Sequence, residues 1–101
     1  MGPRFQPFSR LAAVILSGPD PVQLEAFAQD MARQAPNTPG VEIFGPADAP
    51  LGLIRGRRRK RLLVRADRTV DLSAYMAAWK ARVKPRGALR LTIDIDPYSF
   101  L

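Results

Sequence analysis

The sequence predicts an α+β sandwich of element order β-α-β-β-α-β, one antiparallel four-stranded sheet with two helices on one of its faces. Three observations carry that expectation: a stretch near the end that alternates apolar and polar residues over 89–96, two stripes of apolar residues at helical spacing, and an apolar run over 11–16 with no polar side. The 101 residues have room for one such pair of layers, and 47% hydrophobic with 25% charged residues is the composition of a folded domain. The expected unit is a single domain over 1–101, with 1–9 as a leading segment.

Leu11-Ala12-Ala13-Val14-Ile15-Leu16-Ser17 is apolar on both sides and stops at Gly18-Pro19, as a central strand covered on both faces would. Asp20 then caps a helix. Pro21 suits its first position, where the missing N–H is not needed, and Gln23 stands three residues after the cap. Leu24, Phe27, Ala28, Met31 and Ala35 form its apolar stripe, and Pro36-Asn37-Thr38-Pro39-Gly40 ends it. Val41–Phe44 is a short strand, and Gly45 to Gly56, rich in Gly, Pro and Ala, is expected to be a loop of about a dozen residues, a length at which loops are often functional.

Residues 59–66 form the next strand, with Leu62, Val64 and Ala66 inward and Arg61, Leu63 and Arg65 outward. Asp71 caps a second helix whose stripe is Leu72, Tyr75, Met76, Trp79 and Val83, and Lys84-Pro85-Arg86-Gly87 closes it. Leu89–Asp96 is the last strand. Short, right-handed connections fold this order most simply into a ferredoxin-like sandwich with one sheet face open.

Charge narrows the function. No cysteine or histidine is present, which removes disulfide scaffolds, the usual zinc sites, thiol nucleophiles and imidazole chemistry. Lys and Arg number 16 against 9 acids, a net +7. Residues 1–54 hold three bases against five acids, a net −2, whereas residues 55–101 hold thirteen bases against four acids, a net +9. Arg55-Gly56-Arg57-Arg58-Arg59-Lys60-Arg61 concentrates six bases in seven residues, a self-repelling array that a polyanion relieves by releasing its counterions. Arginine favours bidentate phosphate contacts and stacking on bases. The plainer alternative is a solvated, Arg-rich loop.

Asp94 and Asp96 share one strand side and could hold a divalent cation, but no third ligand is evident, and the outward half of an alternating strand is the stronger reading. Tyr75, Met76 and Trp79 share a stripe with Leu72 and Val83 and read as core. RNA-recognition domains stack bases on aromatics of two central strands, and neither 11–17 nor 59–66 contains one. An acylphosphatase would need an Asn beside a phosphate-cradling glycine loop, and Asn37 has none. Enzyme activity is therefore not expected of this chain. No apolar run is long enough to span a bilayer and no signal-peptide pattern is present, so a cytoplasmic location is expected.

Several stretches resemble the C-terminal domain of the bacterial replication-restart helicase PriA, primosomal protein N-prime. They are Pro7-Phe8-Ser9-Arg10-Leu11-Ala12, Ser17-Gly18-Pro19-Asp20, Gly45-Pro46-Ala47-Asp48-Ala49-Pro50-Leu51 with the basic strand 55–64 after it, and Ile93-Asp94-Ile95-Asp96-Pro97. The resemblance covers Pro7 to Pro97. It implies a fold like ribosomal protein S10, a part in recognising forked or single-stranded DNA, and a chain that is one piece of a larger ATP-dependent 3′–5′ DNA helicase. ATP, Mg and zinc would belong to other domains of that parent, leaving this chain without a cofactor. The resemblance also implies docking of the acidic, phenylalanine-ended tail of single-stranded-DNA-binding protein, with Arg68 near the position of an Arg of that site and Ser73 where the family has a Gln.

The expectation is thus a DNA-binding module at the replication fork, with primosome proteins as partners and neither membrane nor small-molecule substrate. Arg55, Arg57, Arg58, Arg59, Lys60, Arg61 and Arg65 would contact phosphates, and Lys80, Arg82, Lys84 and Arg86 would extend the basic surface. Two alternatives stay open: a domain that docks an acidic protein tail or another domain of its parent, and an S10-like RNA binder.

Overall fold

Alternation along the two middle strands organises the molecule. The computed structural model describes residues 9–54 and 57–95. It contains β1 (Ser9–Gly18), α1 (Pro21–Arg33), β2 (Val41–Ile54), β3 (Arg57–Asp67), α2 (Leu72–Arg82) and β4 (Arg90–Ile95). The sheet order is β2-β3-β1-β4 with every neighbouring pair antiparallel, the ferredoxin-like arrangement that the order of elements predicts. Ala12 pairs with Val64 and Val14 with Leu62, and β4 adds Ile95 opposite Ala12 and Ile93 opposite Val14. Directly opposed residues share a sheet face, so these side chains form one apolar surface. Both helices cover it, through Leu24, Phe27 and Met31 of α1 and Leu72, Tyr75, Met76 and Trp79 of α2.

The helices begin where the sequence caps them. Asp20 accepts from the Val22 and Gln23 N–H groups at 3.0 and 3.4 Å, and Asp71 accepts from Ala74 N–H at 3.0 Å. Trp79 is fully buried, and its Nε1 donates to the Met31 carbonyl at 2.9 Å, tying the middle of α2 to the last turns of α1. The Tyr75 ring stands edge-on to Trp79 at 6.0 Å, and its hydroxyl donates to the Pro36 carbonyl at 2.8 Å. Burial raises the Tyr75 pKa, so the hydroxyl stays protonated and able to donate.

One expectation is corrected. The stretch from Gly45, expected as a loop, continues β2 as far as Ile54. Its backbone finds partners in β3, which local composition does not reveal. The irregular composition is absorbed by two breaks in register, between Phe44 and Ala47 and between Asp48 and Leu53. At the first break Gly45 adopts φ +106°, and a Cβ there would lie 2.8 Å from the Arg61 carbonyl oxygen. β2 is an edge strand, where a missing proline N–H costs no ladder bond to a second neighbour.

Lys60 fastens this irregular strand to the helix layer. It lies opposite Leu16, on the covered side of the sheet, and its Nζ sits 2.9 Å from Glu25 Oε1 of α1 and 3.0 Å from Asp48 Oδ1 of β2. Glu25 also accepts from Gln29 Nε2 at 2.8 Å. That bond, and then the one from Lys60, hold the Glu25 carboxyl below its ordinary range, while Glu25 and then Asp48 hold the Lys60 ammonium above its own.

Two predictions follow from this geometry. Gly45→Ala combines a positive φ with a backbone clash and is expected to cost about 1–3 kcal/mol in urea denaturation; a midpoint equal to wild type would refute the close approach to Arg61. Lys60→Met keeps the stem and removes the charge. A depressed carboxyl stabilises above its ordinary pKa and stops doing so as pH falls through its lowered value, whereas a raised ammonium stabilises below its ordinary pKa and stops as pH rises through its raised value. The gap in denaturation midpoint between wild type and Lys60→Met should therefore be widest near neutrality and shrink in acid as pH falls through the lowered value of the Glu25 carboxyl. A gap independent of pH would assign the loss to packing of the stem.

Candidate nucleic-acid interface

The sheet face away from the helices is built by the other half of the alternation. The register sets its side chains in rows across the strands. Arg59, Ser17 and Arg90 form one row, followed by Ala47, Arg61, Ile15 and Thr92, then Phe44, Leu63, Ala13 and Asp94, and finally Glu42, Arg65 and Leu11. The centre is apolar and partly accessible; the flanks carry four guanidinium groups, from Arg59, Arg61, Arg65 and Arg90. Arg65 Nε lies 3.2 Å from Glu42 Oε1, an exposed pair of small energetic weight that still restricts where the guanidinium points. Arg59, Arg61 and Arg90 have no ion-pair partner among the described residues.

The predicted basic set is therefore divided by the sheet. Arg59, Arg61 and Arg65 share the open face. Arg58, opposite Gly18, and Lys60, opposite Leu16, alternate to the helix side, where Lys60 is matched by two carboxylates. Arg57 pairs with Ile54 in the ladder, and Arg55 lies outside the described residues, as does Asp96. Two residues that the sequence reading did not single out join the face. Arg90 follows from the alternation of β4 once its register against β1 is known, and Phe44 from the alternation of β2, where it is 49% exposed beside Leu63.

The basic residues after the second stripe lie elsewhere. Lys80 and Arg82 close α2, and Lys84 and Arg86 lie in the connection to β4, all in the helix layer. Arg82, Lys84 and Arg86 line a groove floored by Phe27, Val83 and Leu89 and bordered by Gln23 and Asp30 of α1. The Arg82 guanidinium also donates to the Gln34 carbonyl at 3.4 Å. These residues do not extend the open face; they form a second basic surface on the opposite side of the sheet. Arg68, in the turn after β3, and Ser73, in the first turn of α2, are exposed. Ser73 and Arg82 stand at opposite ends of α2, roughly 14 Å apart along its axis.

This geometry meets its relatives in the comparisons with known proteins. The model of the family described as the primosomal protein N C-terminal domain matches residues 3–98. The chain is 39% identical over 94 residues to the replication restart protein PriA of Rickettsia conorii and to that of Rickettsia felis, and 35% identical to that of Rickettsia typhi. Each alignment takes in 93% of this chain and 14% of the relative, so the chain spans about a seventh of the proteins it matches. A match across nearly all of its length, on the fold that its own pattern of residues dictates, shows that the chain belongs to the primosomal protein N C-terminal domain family.

Proposed function

We propose that this domain holds the phosphate backbone of DNA on its open sheet face, as the binding part of a replication-restart protein whose ATP-driven unwinding of DNA is carried by other parts of the parent. The observation that supports this most is the placement of Arg59, Arg61 and Arg90 on one uncovered face without carboxylate partners among the described residues, with Arg65 beside them. Each guanidinium that meets a phosphate releases condensed counterions, which gives binding its strength and its dependence on salt. Forked or single-stranded DNA is the ligand in this reading. No cofactor and no metal take part in it, and the other primosome proteins are its partners.

The groove between α1 and the connection to β4 favours a second reading beside the first. Its basic rim of Arg82, Lys84 and Arg86 over an apolar floor suits an acidic protein tail ending in a large apolar residue, as in single-stranded-DNA-binding protein. Arg68 and Ser73 would meet such a tail at the far end of α2.

Replacing Arg59, Arg61 or Arg90 singly with alanine is expected to weaken DNA binding in fluorescence anisotropy and to lower the slope of log affinity against log salt by about 0.7–0.9 for each lost contact. Unchanged slopes in all three variants would refute the phosphate contacts. Lys84→Glu combined with Arg86→Glu should abolish binding of an acidic, phenylalanine-ended peptide while leaving the DNA slope in place. Peptide affinity that survives this pair but falls with Arg68→Ala would move the tail to the other end of α2.

A further inference from the structure

Two large apolar side chains are conspicuously exposed among the described residues, Val22 on α1 and Phe44 on β2. Val22 stands alone on a helix surface. Phe44 stands on the open sheet face in the same row as Leu63 and Ala13, diagonal to Arg61 on one side and Arg65 on the other. Directly opposed residues in an antiparallel pair have Cβ atoms about 5 Å apart, and diagonal ones about 7–8 Å, so a ligand seated on the ring lies within reach of both guanidinium groups. Water gains nothing from an aromatic ring half exposed between Arg61, which has no ion-pair partner among the described residues, and the pair of Arg65 and Glu42. A planar, apolar group carrying negative charge on its flanks does.

We infer that Phe44, backed by Leu63, is a stacking platform for an unpaired base, and that the open face takes single-stranded nucleic acid in preference to duplex. This deepens the DNA-binding reading above and rests on it. Duplex DNA offers phosphates to the arginines equally well, but its bases are stacked on one another and present no free π-face to a ring that stands on a sheet. A single strand offers both. Its phosphates meet Arg61 and Arg65 while a base lies on Phe44, an arrangement that tolerates any sequence because every base has a π-face. The pair between Arg65 and Glu42 contributes by holding one guanidinium at the edge of the platform, where a phosphate can take its remaining N–H donors.

The local backbone places the ring. Phe44 is the last residue of β2 in regular register with β3 before the ladder breaks at Gly45, and bulges of this kind re-aim neighbouring side chains. Loss of the bulge would carry the ring with it.

The test measures binding of the chain to a fluorescent oligo-dT and to a duplex of equal length, at two salt concentrations, for wild type, Phe44→Ala, Phe44→Trp and Arg61→Ala. For Phe44→Ala we expect single-strand affinity to fall roughly 5- to 100-fold with the salt slope unchanged, and duplex affinity to stay within twofold of wild type. Phe44→Trp should keep single-strand affinity, and its added fluorescence should be quenched by oligo-dT and not by duplex. Equal losses on both ligands, or no loss on the single strand, would overturn the platform while leaving the arginine contacts standing if Arg61→Ala still lowers the slope. Absence of binding to either ligand by wild type would instead remove the DNA reading and the platform together.

Discussion

The structure depends on the two-residue period of β3. Because successive side chains of a strand point to opposite sides of the sheet, Leu62, Val64 and Ala66 can be fully buried while Arg61 and Arg65 one bond away face water. β1 supplies the complementary surface, Ala12, Val14 and Leu16, and on the open face its Ala13, buried, and Ile15, half-buried, lie between the side chains of β3 and β4. A slip of one residue between these strands would put guanidinium groups under the helices and leucine in water. Folding and charge display are therefore the same event: the hydrophobic contacts that select the register also place the bases.

The helix layer enforces that choice from above. Trp79 reaches across to the Met31 carbonyl and Tyr75 to that of Pro36, so α2 is aligned against α1 by two directional bonds inside an otherwise apolar contact. Such bonds add little net energy but penalise misalignment, since each unmade one leaves a buried donor or acceptor without water. Lys60 does comparable work at the sheet margin. A lysine in the midst of a run of bases serves here as a brace between α1 and the irregular part of β2, because strand parity turns it away from its neighbours.

Most of the fold was legible in the sequence for a physical reason: both caps, both helical stripes and the alternation of β4 are local signals, and each element formed within a residue or two of where those signals placed it. What local signals omit is partnership. Gly45 to Ile54 lacks the composition of a strand and is one because β3 runs beside it. The same gap explains the candidate site. The run of bases was visible as a charge density, but its division into Arg59, Arg61 and Arg65 on one side and Arg58 and Lys60 on the other requires the pleat. Arg90 and Phe44 join the face only through their register against β1 and β3.

The two broken registers of β2 bear also on what the molecule avoids. An open sheet ends in strands with unpaired backbone groups, which invite a further strand from another chain. Here one margin is β2, where Pro46 has no N–H to offer and shifts of register interrupt the ladder after Phe44 and again after Asp48. This margin is not a continuous template for backbone pairing. Association by strand addition at β2, whether with an extended peptide or with a second copy of the chain on the way to aggregation, is thereby discouraged.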